Sequence, residues 1–380
     1  MHASTEYRLP SIRTSTRIPK GIRARDWNDW HWQLDQSVRA PGHLRQQAEP
    51  EGLSARMWRR IVTRYPAAAT PYYLSLIQRL DPDDPILRMC WPHADELRSS
   101  PGLTRDPFGE TGQAGSLGWI QRYEDRVLLL ATAACAVRCR HCTRKNTLSA
   151  MDPQWTPARL RVFQNWLTAR PKIREVLISG GDPLLLETDV LKRLLDTVRA
   201  VPTVKILRIG TRVPVVLPQR ITPDLCRALK SAHPLWLNTH FNHPAELSPE
   251  AERACARLAD AGIPLGNQTV LLRGINDRAD TLESLFCGLL RLRVRPYYLL
   301  QCDPVRGTAH FRVPLSTGME LMRKMRRRLS GLAIPQYVVD APNGGGKIPI
   351  LPDTIAGRDG GVWLLRTPAG HIFRYPDVSP

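Results

Sequence analysis

From Val127 onward, hydrophobic and polar residues alternate between two rhythms. Short apolar runs occupy residues 126–132 (RVLLLAT), 175–180 (EVLISG), 204–210 (VKILRIG), 235–241 (LWLNTHF), 265–272 (LGNQTVLL) and 294–302 (VRPYYLLQC). Their length and β-branched content predict buried strands. Between them the apolar residues recur at the helical period. Val190, Leu191, Leu194, Leu195 and Val198 mark one such face, and residues 160–168, 223–232, 249–261 and 282–292 carry others. Six strand–helix units at about 30-residue spacing predict a parallel sheet with right-handed crossovers.

Such a sheet is either doubly wound or a barrel. The polar groups decide between them. Cysteines follow the first strand, SGGDP the second, TR the third, HFNH the fourth and CDPVRG the sixth. Groups at the C-terminal ends of so many strands converge only if the strands curve about one axis, as in a (β/α) barrel. The expected fold class is therefore α/β, a partial (β/α)6 barrel like a TIM barrel. The chain divides into a disordered basic arm (1–25), an N-terminal helical region (26–115), the barrel (116–312), and a C-terminal helix with a lysine-bearing segment (313–380). DWNDWHWQL opens on Asp26 as a helix cap, and its aromatic residues are read as core.

Composition narrows the function. The 380 residues carry a formal charge of +19, which would suit nucleic acid. Yet the charges are dispersed single arginines. The densest run, RKMRRRL, falls on a helical pattern whose solvated face explains it, so no nucleic-acid partner is expected. No apolar run reaches the roughly 18 residues of a membrane span, so no membrane partner is expected. The N-terminus has no signal-peptide core, and a cytoplasmic location is expected. Eight cysteines without a secretory signal do not suggest a disulfide framework. Five are scattered. Cys135, Cys139 and Cys142 are clustered at C-x3-C-x2-C spacing.

A closed zinc site wants four ligands, and His141, lying between two of the cysteines, is poorly placed as the fourth. Three thiolates on a cubane cluster instead leave one iron open to a small molecule. SGGDP places two glycines at a strand end, where backbone can approach a ligand closely; otherwise Asp182 is only a turn cap. In DAPNGGGKIP, three glycines precede Lys347 without the spacing of a phosphate loop. A lysine on a flexible turn can reach into a cavity and bond to pyridoxal phosphate, whose phosphate Arg122 and Arg126 could take.

The cysteine spacing resembles that of the radical S-adenosylmethionine (radical SAM) superfamily. The likeness sharpens over residues 26–375, where DWNDWHWQ, TPYYLSL, CRHCTR, SGGDPL, RIGTRVPVVLPQRIT, WLNTHFNHP, GIPLGNQTVLLRGIND, RVRPYYLL, HFR, VVDAP and GGGK follow in order. Together they resemble the lysine 2,3-aminomutase family. The resemblance implies a radical SAM partial barrel. It implies an isomerase that moves the α-amino group of a basic L-amino acid, most simply L-lysine, to C3. By position, Cys135, Cys139 and Cys142 would hold a [4Fe–4S] cluster and Lys347 would carry pyridoxal phosphate. Arg122 and Arg126 would take its phosphate. Gly180, Gly181, Asp182, His240 and Gln268 would surround S-adenosylmethionine, Arg144 would grip the substrate carboxylate, and Asp303 and Asp340 its distal cation. A flavodoxin or ferredoxin would supply the electron, and a homo-oligomer is implied. Arginine as substrate, or β-lysine made for a translation factor, are the alternatives. Arg278 and the cysteine-free chain beyond Cys302 depart from the zinc-binding pattern of the clostridial type, so no structural zinc is expected. PVRG after Asp303 also departs from that pattern.

Overall fold

A computed structural model describes residues 18–39, 54–79, 81–98, 100–114, 118–148, 154–351, 354–359 and 362–376. Among these, nine strands form one sheet in sequence order. They are β1 (Trp119–Tyr123), β2 (Arg126–Thr132), β3 (Glu175–Gly180), β4 (Ile206–Gly210), β5 (Leu235–Thr239), β6 (Leu265–Leu271), β7 (Val294–Gln301), β8 (Gln336–Ala341) and β9 (Gly346–Pro349). β2 through β8 are parallel. β1 and β9 run antiparallel at the two ends. The sheet curls until those ends nearly meet. The Lys347 backbone N–H on β9 donates to the Tyr123 hydroxyl on β1 at 3.1 Å. The result is a nearly closed (β/α) barrel, more complete than the six-stranded partial barrel expected.

The crossover helices form where the apolar period places them: Pro157–Thr168, Thr188–Arg199, Pro223–Lys230, Pro249–Asp260 and Ala279–Arg291. Three begin with a Thr or Ser cap accepting a backbone N–H and a proline in the first turn (Thr156, Thr222, Ser248). Those residues satisfy donors the helix leaves open, and proline has no N–H to waste there. Leu191, Leu194, Leu195 and Val198 are fully buried against the sheet.

The N-terminal segment covers one end of the barrel. Trp27 and Trp30 enter the main core, as read from the sequence. The cap is Asp29, not Asp26. Asp29 accepts from the His31 N–H, whereas Asp26 lies inside the preceding turn Ala24–Trp27. A buried ion cluster fastens this segment to the cysteine loop: Glu96 pairs with Arg140 and Lys145. Residues 1–17 of the expected basic arm lie outside the described residues.

Strand reading fell short at the edges. β1, β8 and β9 were not foreseen, nor was a separate antiparallel sheet of β10 (Ile355–Asp359), β11 (Val362–Arg366) and β12 (Ile372–Pro376). These strands are short and mostly half-exposed, and β9 contains both glycine and proline, so their apolar signal is weak. The helix expected in 313–380 is Leu315–Arg328, and it carries the basic run. Among the described residues, no helix is long and apolar enough to cross a membrane.

Candidate active site

Cys135, Cys139 and Cys142 lie on the loop leaving β2, at the C-terminal mouth of the barrel. They line a cavity of about 220 Å³. Burial, then the neighbouring Cys142, push the Cys135 thiol well above the usual range. Burial, then Cys139, also raise the Cys142 thiol. Thiols so placed ionise together only around a cation. Among the described residues no three His, Cys, Asp or Glu side chains close on a single metal ion. The cysteines instead line a cavity, and three thiolates there suit a cluster that keeps one iron open. His141 does not complete a zinc set. Its Nδ1 is buried without a partner and its ring stands edge-on to Phe311.

Arg212, which follows β4, donates from Nη1 to Cys139 Sγ at 2.8 Å. The contact sets a fixed positive charge beside Cys139 at the cavity wall. Arg212 is itself anchored by Glu246 and by the Tyr73 hydroxyl at 2.8 Å.

SGGDP also has a structural part to play at this mouth of the barrel. A Cβ on Gly181 would stand 2.2 Å from the Ala134 carbonyl oxygen, and one on Gly180 (φ +116°) 2.8 Å from that of Thr132. The glycines therefore admit the backbone of the cysteine loop, and with Asp182 they also line the cavity of the cysteines. The Gly181 and Asp182 N–H groups donate to Thr132 and Ala134 at 2.6 and 2.8 Å. Asp182 caps the turn Pro183–Leu185 and accepts from the Thr211 hydroxyl (2.6 Å) and the Arg212 N–H (2.7 Å). Burial raises its pKa to about 6. It ties the mouth of β3 to that of β4 and sets Arg212.

A second cavity of about 400 Å³ adjoins the first, sharing Thr143, Arg144, Ser179, Gly210, His240, Leu300 and Asp303. It also gathers Arg122, Arg126, Gln268, Asp340 and Lys347. Burial, then the charge of Arg212, hold His240 at about pKa 4, so it is neutral near pH 7. Arg122 is on β1 and Arg126 opens β2, joined by a tight hairpin rather than a helical turn. The Arg126 guanidinium stacks on Tyr123 and pairs with Asp125.

Lys347 is likewise not on the flexible turn. It sits in β9 directly opposite Asp340 of β8. Cross-strand neighbours on one face meet closely, and Lys347 Nζ lies 2.6 Å from Asp340 Oδ2. Arg122 Nη1 is 3.5 Å from Asp340 Oδ1, within ion-pair reach. Neither Asp340 Oδ1 nor Arg122 Nε has a hydrogen-bond partner, although both are buried. Asp303, after β7, accepts from the Thr143 hydroxyl at 2.5 Å. Burial, opposed by that bond and reinforced by Asp340, lifts its pKa to about 6. Two buried acids and two orphaned polar atoms beside a lysine and an arginine fit a site for a zwitterionic ligand and a phosphorylated cofactor.

Glu110 escaped the sequence reading. It accepts from Arg144 Nε (2.7 Å) and Nη2 (2.9 Å) and from Arg122 Nη2 (2.9 Å). Its stretch, DPFGE, reads only as a loop, and nothing in its spacing signals a site. Arg212 and Tyr123 were visible only inside longer motifs.

Comparison with known proteins agrees with this geometry. Residues 129–285 match the radical SAM superfamily model, and residues 322–379 match the model described as lysine-2,3-aminomutase. The L-lysine 2,3-aminomutase of Clostridium subterminale is 43% identical over 94% of this chain and 86% of its own. That of Fusobacterium nucleatum subsp. nucleatum is 42% identical over 97% and 87%. The glutamate 2,3-aminomutase of Clostridioides difficile (strain 630) is 39% identical over 93% and 83%. A chain with this barrel, this cysteine loop and such long likeness belongs to the lysine 2,3-aminomutase family of radical SAM isomerases.

Proposed function

We propose that the chain is a pyridoxal-phosphate-dependent 2,3-aminomutase of a basic L-amino acid, with lysine as the preferred substrate. The observation that carries this reading is the placement of Asp303 and Asp340 in one chamber with Lys347 and Arg144. Buried acids side by side are costly unless a cation neutralises them. A lysine or arginine side chain supplies one, whereas a glutamate adds a further negative charge. Membership of the radical SAM superfamily implies a [4Fe–4S] cluster and S-adenosylmethionine. When bound, these supply a one-electron route to a carbon radical, and pyridoxal phosphate supplies a ring over which unpaired spin can spread.

The protein's part is binding and exclusion. Cys135, Cys139 and Cys142 would hold the cluster, with Arg212 against Cys139. His240, just after β5, and Gln268, within the adjoining β6, would face S-adenosylmethionine. A neutral His240 adds no repulsion to its sulfonium. Lys347 would carry the cofactor, and Asp340 holds the lysine ammonium until it does. Arg122 and Arg126 would take the phosphate. Arg144 would hold the substrate carboxylate, with Asp303 and Asp340 on its far cation. The amino group moves from C2 to C3 while one hydrogen moves the other way, so no outside oxidant is consumed. Closure of the chamber keeps water from the reactive carbon.

The departure at PVRG bears less on substrate choice than its neighbourhood suggests. Asp303 lines both cavities, but residues 304–307 line neither. They bond instead to the N-terminal segment, Thr104 N–H to Pro304 O at 3.0 Å and Arg306 N–H to Thr104 O at 2.8 Å. This favours lysine over arginine. Anaerobic incubation of the reconstituted chain with lysine, arginine, glutamate and alanine, with β-amino products resolved by mass spectrometry, tests the reading. β-Lysine should dominate. Faster turnover of glutamate or alanine would overturn it.

A further inference from the structure

We infer that Glu110 is a positioning residue that orients Arg144 toward the substrate's α-carboxylate and keeps Arg122 apart from it. The inference rests on the aminomutase reading above. Glu110 is 3% exposed, and one carboxylate serves both guanidinium groups. Its bidentate contact takes the Nε–Nη2 edge of Arg144 and turns the Nη1 side toward the rest of the chamber that Arg144 lines. Arg122 shares oxygen Oε1 and is fixed from below by the Phe108 ring, 4.4 Å from its guanidinium carbon.

Glu110 is held in place in turn. Its N–H donates to Asp106 Oδ1 at 3.0 Å, and Asp106 also accepts from the Thr111 N–H and hydroxyl. One residue further on from Asp106, the Pro107 carbonyl accepts from the Asn343 N–H, on the turn leading to Lys347. Segment 106–111 therefore sets both arginines and braces the lysine turn.

The contact is permanent, not a latch that substrate opens. A displaced Glu110 would be a buried carboxylate with no partner, which is strongly unfavourable. With Glu110 in place, the Nε–Nη2 edge of Arg144 is occupied and its Nη1 side is left for a substrate carboxylate, while Arg122 is held between Glu110 and Asp340. Without it, Arg144 is free to turn toward Asp340, which Arg122 already reaches, or to clasp one anion together with Arg122. Discrimination for a free α-carboxylate then falls.

The test uses full-length chain carrying cluster and pyridoxal phosphate but no S-adenosylmethionine, so that binding is read without turnover. Lysine and lysinamide, whose carboxylate is an amide, are titrated against the absorbance of the lysine-bound cofactor. Glu110→Gln should weaken lysine by about tenfold to a hundredfold, the worth of a hydrogen bond to a charged group, and leave lysinamide nearly unchanged. Glu110→Asp should recover part of the loss. Combined with Arg144→Lys, Glu110→Gln should add no further loss, since both act through one contact. If Glu110→Gln does not fold, the lysine-to-lysinamide ratio in Glu110→Asp carries the test, and only a selective loss of lysine sustains the inference. Equal weakening of both ligands, tighter lysine binding, or additive losses would overturn it. If the wild-type spectrum answers to no basic amino acid, the aminomutase reading fails and this inference with it. A wild-type response that Glu110→Gln leaves intact removes the role of Glu110 alone.

Discussion

Asp303 holds its proton to about pH 6, and that proton must leave before a cation can pair with the carboxylate. Affinity for lysine should therefore rise as pH climbs through about 6 and then level off. Asp303→Asn should flatten this limb and lower kcat/KM by about a hundredfold or more, from the loss of one partner of a buried pair. Spectral titration of lysine across that range checks the first, and anaerobic kinetics the second. The sign for folding is opposite. A carboxyl whose native pKa is raised binds more protons folded than unfolded, so its favourable contribution is full below the unfolded value of about 3.8 and lost as pH rises through about 6. Ligand-free Asp303→Asn should thus melt no lower than wild type at neutral pH. Lys347→Ala should lose the lysine-bound cofactor band, and borohydride trapping on another lysine would refute the assignment. At this scale much was legible. Asp303 and Asp340 were singled out only by the family resemblance, whereas the cysteines and Lys347 stand in rare local patterns. Glu110 and Arg212 do not, because their partners are distant in sequence: Glu110 meets Arg144 across 34 positions and Arg212 meets Cys139 across 73.

Between elements, the closest fit is where β3 ends against the loop leaving β2. Gly181→Ala would drive a methyl into the Ala134 carbonyl, and neither side of that contact is a flexible side chain. Overpacking of this kind costs about 1–3 kcal/mol or more. The variant should lower Tm and, because the displaced loop carries Cys135 and Cys139, should also lower iron content. Gly331→Ala, with nothing within 4 Å of the new Cβ, is the control and should change neither. Replacing Cys135, Cys139 or Cys142 by Ala should abolish iron loading, whereas Cys226→Ala and Cys255→Ala, in the crossover helices Pro223–Lys230 and Pro249–Asp260, should load normally. The helices and most central strands were readable because they bury apolar residues, as Leu191 to Val198 and, in β3, Val176 and Ile178 illustrate. Edge strands were not. Half-exposed residues such as Gln121, Arg122 and Lys347 satisfy no apolar period, and the register that sets Lys347 opposite Asp340 is fixed by the hairpin, not by any one residue.

For the molecule as a whole, Arg278 does not offer a metal-ligand side chain; it precedes the helix Ala279–Arg291 at its N-terminal cap. Anaerobically purified protein should carry iron without stoichiometric zinc, and elemental analysis showing zinc in fixed ratio would overturn this. The barrel order was foreseeable from the polar groups at successive strand ends, but its closure was not. Closure depends on a phenol reaching from the first strand to the last, a pairing across 224 positions. That feature has a kinetic consequence. β9 is laddered to β8 on one side, and on the other the Lys347 amide proton rests on the Tyr123 hydroxyl. Such an amide is released by a local opening far cheaper than global unfolding. In Tyr123→Phe the Lys347 amide should trade its hydrogen for deuterium much sooner, while amides in β4 and β5 keep wild-type rates. The strand bearing the reactive lysine would then be the first part of the barrel to breathe.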